Sequence, residues 1–162
     1  MEHTEKTIND ELILFDKTSS MDEIVENIFI GNYSAASNKS LLQEKGVTHI
    51  LIAANNLEKF FPNDFEYKIF PLYDSEYTKI TKYFEESNNF IKNSILNGKI
   101  LIHCGAGISR SVSLLLAYMI ANMNMNYSEA IKIMKEKRSI ANPNPGFEKQ
   151  LRNYSYELHK KF

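Results

Sequence analysis

Apolar and polar positions fall into blocks along the chain, and the period changes from block to block. Ile24-Val25 and Ile28-Phe29-Ile30 are short apolar runs ending at Gly31, which predicts two short strands. Ser34 or Ser37 can cap a short helix through Leu41-Leu42 that stops at Gly46. Val47 to Ala53 reads as a buried strand from its β-branched content, and Tyr67 to Phe70 as another, closed by Pro71. After a loop from Leu72 to Lys79, Ile80, Phe84, Ile91 and Ile95 recur at helical spacing, predicting an amphipathic helix that ends near Asn97-Gly98. Lys99 to His103 is a short apolar strand. Residues 110–121 are then apolar on nearly every side, the pattern of a helix buried within a domain. A further helix starts near Ser128 and carries Ile131 and Met134 toward Arg138. Asn144-Pro145 caps and opens the last one, with Phe147, Leu151, Tyr154 and Leu158 on one face. Strands followed by helices predict an α/β class: a mostly parallel central sheet of about five strands flanked by helices on both faces.

Composition narrows the function. The chain has 162 residues, 43% hydrophobic and 24% charged, as expected of one globular domain that needs no disulfide or metal staple. Its formal charge of −1 argues against a nucleic-acid partner, which needs a basic face. Cys104 is the only cysteine, so an intramolecular disulfide and a thiolate zinc site are excluded. Histidines other than His103 stand only at 3, 49 and 159, and neither a metal nor another cofactor is expected. The polar start and the lack of a long apolar window predict no leader and no membrane partner. Glu2 and the Lys160-Lys161-Phe162 end carry no lipidation signal. The expected location is the cytoplasm, with the nucleus also open, and oligomeric state is left undetermined. Residues 1–20 read as an N-terminal extension with one apolar patch, Leu12-Ile13-Leu14-Phe15, and residues 21–162 as the domain.

The chemistry concentrates in Ile102-His103-Cys104-Gly105-Ala106-Gly107-Ile108-Ser109-Arg110-Ser111. This stretch joins a strand to the N-terminus of the buried helix, where α/β sheets bind ligands. Converging amides and the positive end of the helix dipole make an anion site there. Gly105 and Gly107 let the backbone curl, and Arg110 returns a planar, bidentate cation opposite the thiol. A cradle that favours phosphate also favours a thiolate, which makes Cys104 a candidate nucleophile with Ser111 as hydrogen-bond donor to sulfur. An exposed thiolate with no second cysteine to trap it would also be readily oxidised. A dinucleotide fingerprint would need glycine where Arg110 stands, and a nucleotide P-loop would need Gly-Lys-Ser/Thr; neither is present. For a proton donor, Asp74, Glu76 and Asp64 remain open on residues alone.

These residues resemble the H-C-x5-R-S signature of the cysteine-based protein phosphatases, and Ala106-Gly107, Ser109-Arg110-Ser111 and Ala117-Tyr118-Met119 resemble the dual-specificity branch. The resemblance spans roughly residues 23–155, including Asn27 to Gly31, Gly46 to Leu51, Arg138, Pro143-Asn144 and Phe147 to Leu151. It implies hydrolysis of phosphotyrosine and phosphoserine/phosphothreonine esters in proteins, without cofactor, through a cysteinyl-phosphate on Cys104. It implies Asp74 as general acid, with Glu76 in reserve. Gly105, Ala106, Gly107, Ile108, Ser109 and Arg110 would hold the phosphate, His103 would shape the loop through a backbone hydrogen bond, and Asn144 would brace it. Where the family often has proline after the equivalent of Arg138, this chain has Ser139. A phosphoinositide phosphatase would carry lysines within the loop, which has none, and an RNA 5′-phosphatase a basic surface, of which the net charge gives no hint; a non-protein phosphoester is the alternative to a protein one. A phosphate-binding adaptor would lack the nucleophile or the arginine, and both are here. The expected partner is a phosphorylated protein.

Overall fold

Five strands form one sheet in the computed structural model, which describes residues 18–160. They are β1 (Met21–Val25), β2 (Ile28–Gly31), β3 (His49–Ala53), β4 (Glu66–Phe70) and β5 (Ile100–His103), in the spatial order β1-β2-β5-β3-β4. Only β1 runs antiparallel to its neighbour; β2, β3, β4 and β5 are mutually parallel. The expected α/β architecture is therefore present. The Leu12–Phe15 patch lies outside the described residues.

Period-2 alternation sends each strand's side chains to two separate cores. Ile28, Ile30, Leu51, Ala53, Ile100 and Ile102 join one, whereas Phe29, Ile50, Ile52 and Leu101 join the other. The first and larger core contains α3 (Phe84–Ser94), α4 (Arg110–Asn122), α5 (Tyr127–Lys137) and α6 (Pro145–His159). The second is covered by α1 (Tyr33–Ala36), α2 (Lys39–Glu44) and the segment before β4. Helix α4 packs against the sheet and against α3, α5 and α6. That surrounding explains why its residues from Ser111 to Ile120 are all buried.

Several boundaries differ from the sequence reading. The caps of α1 and α2 are Asn32 and Asn38, whose side chains accept from Ala35 and Leu41 amides; Ser34 lies within α1 and Ser37 ends it. The third strand starts at His49, because the Thr48 amide bonds the Lys99 carbonyl as the chain turns in. Ile80–Tyr83 forms a 3-10 turn before α3, and α5 starts one residue early, at Tyr127, behind an Asn126–Glu129 capping box. Asn144 caps α6 as expected, accepting from the Phe147 amide, but Leu158 is 42% exposed and leaves the core face.

Candidate active site

The parallel register puts the ends of β2, β3 and β5 side by side, and β5 runs directly into the loop 104–109. Every carbonyl of that loop is taken by a donor outside it. Tyr33 N–H donates to the Gly105 carbonyl at 2.8 Å, and Asn142 N–H to the Ile108 carbonyl at 2.8 Å. Arg138 donates to the Gly107 carbonyl through Nε at 2.8 Å and to the Ala106 carbonyl through Nη2 at 3.2 Å. The Ser109 carbonyl accepts from the Ser113 amide and hydroxyl. With the carbonyls turned outward, the peptide planes present their N–H groups to the concave side. Among the described residues, no protein acceptor takes the amides of Gly105 through Arg110. Six such donors at a helix start form an anion cradle.

Gly107 has φ +68°, and a Cβ there would fall 2.7 Å from both Arg138 Nη2 and the Gly31 carbonyl oxygen. Only glycine allows that turn. Ser109 occupies the α4 cap position without capping it, because its hydroxyl accepts from the Asn144 amide at 3.0 Å.

Two arginines flank the loop. Arg138, 2% exposed, spends its donors on the fold: beyond the two carbonyls, Nη1 bonds Ser20 Oγ and pairs with Asp22 Oδ2, each at 2.8 Å. Arg110, partly buried, donates Nη1 to the Leu72 carbonyl at 3.2 Å and pairs with no carboxylate among the described residues. Its other N–H groups remain available to an oxyanion.

Cys104 is 2% exposed, so the thiol is sheltered rather than exposed as expected. Ser111 Oγ lies 3.2 Å from Cys104 Sγ and donates to it when sulfur is ionised, since a thiolate can only accept. His103 is buried, and Nδ1 lies 3.2 Å from the Cys104 carbonyl oxygen. A carbonyl only accepts, so Nδ1 carries the proton, while Nε2 has no partner among the described residues. Burial chiefly, with help from nearby Arg110, lowers the His103 pKa to about 4; the ring is neutral at physiological pH. It is no general acid.

Asp74 is exposed on the loop after β4, and its Oδ1 accepts from Asn144 Nδ2 at 3.0 Å. Asn144 thus joins three parts: its Oδ1 caps α6, its amide meets the phosphate-loop residue Ser109, and its Nδ2 holds Asp74. Glu76 is also exposed and has no ion pair among the described residues, whereas Asp64 pairs with Lys39 at 3.1 Å. Sequence reasoning gave Arg138 and Asp22 no site role. Arg138 follows Lys135 and Lys137, so it reads as one more cation complementing a helix C-terminus.

Residues 28–157 match the model of the dual specificity phosphatase catalytic domain. The chain belongs to the dual specificity phosphatase family. It is 37% identical over 146 residues to dual specificity protein phosphatase 1B of Arabidopsis thaliana, covering 90% of this chain and 87% of that protein. It is 39% identical over 142 residues to MAP kinase phosphatase with leucine-rich repeats protein 3 of Dictyostelium discoideum, 87% of this chain but 17% of that much longer relative. The crystal structure of human tyrosine phosphatase-like serine/threonine/tyrosine-interacting protein superposes with a TM-score of 0.80 at 36% identity, covering 85% of this chain and 97% of that one. The family's reaction, dephosphorylation of tyrosine and serine/threonine in proteins, needs a nucleophilic cysteine, and Cys104 stands in its loop.

Proposed function

We propose that this phosphatase works through Cys104 as nucleophile, Arg110 and the amides of residues 105–110 as phosphate holders, and Asp74 as general acid and base. The outward-turned carbonyls of residues 105–109 carry the reading, because they leave a ring of donors beside one thiol. The Cys104 thiolate attacks phosphorus in line, and Asp74 gives its proton to the departing oxygen. A cysteinyl-phosphate results. Asp74 then takes a proton from water, whose oxygen attacks phosphorus and releases inorganic phosphate and the thiolate, with Ser111 donating to the leaving sulfur. Loop amides and Arg110 stabilise the equatorial oxygens throughout, in a cradle already organised before substrate arrives.

A phosphate-binding adaptor would keep the cradle without the chemistry. Sulfur within reach of the Ser111 hydroxyl favours turnover. Hydrolysis of p-nitrophenyl phosphate and of a phosphotyrosine peptide tests the assignment: Cys104→Ser should reduce it by at least about 10⁴-fold. Residual activity near wild type would refute Cys104 as nucleophile.

A further inference from the structure

Helix α6 runs beside the loop that carries Asp74, and its residues meet that loop at successive positions. Asn144, at the cap, holds Asp74. Two residues on, a Cβ at Gly146 would overlap the Glu76 carbonyl oxygen, so the loop backbone lies directly on the bare Cα. One turn further, Gln150 donates Nε2 to the Thr78 carbonyl at 2.9 Å and accepts at Oε1 from the Thr81 amide at 3.2 Å and hydroxyl at 3.0 Å. Gln150 Nε2 also reaches the Gly146 carbonyl at 3.2 Å, which fixes its rotamer over the same helix face. The start of α6 is tied to the phosphate loop as well, through the Asn144 amide to Ser109 Oγ and the Asn142 amide to the Ile108 carbonyl.

Apart from α6, the loop is held at its start, where the Leu72 carbonyl accepts from the Asn55 amide at 3.1 Å and from Arg110 Nη1 at 3.2 Å. Tyr73, Asp74, Glu76 and Tyr77 are all exposed, and the Thr78 hydroxyl to Tyr73 carbonyl bond only closes the loop on itself. We propose that Gly146 and Gln150 are positioning residues for the general acid: they set the height of the loop on α6, and through it the placement of the Asp74 carboxyl relative to Cys104. This inference rests on the reading of Asp74 as general acid. Gly146 supplies the close approach, and Gln150 locks both the chain leaving the loop and the 3-10 turn behind it.

A misplaced acid penalises most the substrates whose leaving group most needs a proton. The test is kcat/KM for Gly146→Ala, Gln150→Met and Asp74→Asn proteins across aryl phosphates from p-nitrophenyl to phenyl. Alkylation of Cys104 by iodoacetamide is measured alongside. In Gly146→Ala and Gln150→Met, phenyl phosphate hydrolysis should fall about tenfold relative to p-nitrophenyl phosphate hydrolysis, with unchanged alkylation. Adding either change to Asp74→Asn should steepen the dependence no further. An equal loss across the series, a slower alkylation, or no loss would overturn the proposal. Should Gly146→Ala fail to fold by circular dichroism, Gln150→Met decides alone. If Asp74→Asn steepens the dependence and Gln150→Met does not, only this proposal fails; if Asp74→Asn itself does not, the general-acid reading falls with it.

Discussion

The loop after Cys104 and the loop that carries Asp74 lie next to each other and are built in opposite ways. In the first, main-chain amides are the proposed recognition groups, and every carbonyl from Gly105 to Ser109 is fixed from outside. In the second, the carboxyl of Asp74, the proposed acid, stands on an exposed stretch held by Asn144, Gly146 and Gln150 at α6 and by Asn55 and Arg110 at the Leu72 carbonyl. The difference follows from what each must hold. Oxyanion stabilisation needs many donors that do not reorganise. Proton transfer needs one group within hydrogen-bond reach, which a few side chains can secure.

The comparison can be broken first at its junction. Arg110→Met removes the guanidinium proposed to hold the phosphate, and kcat/KM should fall by on the order of 10³-fold or more in steady-state assays. A loss under about tenfold would mean that the amides alone suffice. Asp74→Asn should cost about 10²-fold at the pH optimum and remove the limb of the pH–rate profile that reports a protonated acid. An unaltered profile would move the acid to Glu76.

Arg138→Met tests whether the cradle is held from outside. Two loop carbonyls lose their donor, and Asp22, about half exposed, loses its partner. Stability should drop by about 3 kcal/mol, roughly 10 °C in Tm, and kcat should fall although Arg138 faces away from substrate. Unchanged kcat in a destabilised protein would confine Arg138 to the fold. The last test is acid sensitivity, which reads the fold and not turnover. His103 titrates near its ordinary value when unfolded and at about 4 when folded, so between those values the unfolded chain binds the extra proton. Stability should therefore be lost as pH falls from about 6.5 through about 4, measured by urea midpoints. His103→Gln should flatten that slope.

The signature loop was legible from sequence because its information is local. Two glycines, one arginine and a strand-to-helix junction fall within ten residues, and the chemistry of each residue type restricts what the loop can do. The caps of α1 and α2 were misplaced for an equally local reason. Serines and asparagines cap almost equally well, and the choice of Asn32 and Asn38 depends on where the chain enters from β2. Arg138 was present in the sequence but uninterpretable, since a cation after a helix looks the same whether it faces water or a loop 31 residues earlier.

The sequence alone carried the layer architecture, through apolar periodicity, and the family, through the signature loop around Cys104 and Arg110. Tertiary structure alone decided how that loop is held and where Asp74 sits. Both depend on contacts between residues as far apart as Asp22 and Arg138, or Asp74 and Asn144. Such pairings leave no periodic trace in the chain, because a hydrogen bond across the fold requires only that two groups arrive at the same place.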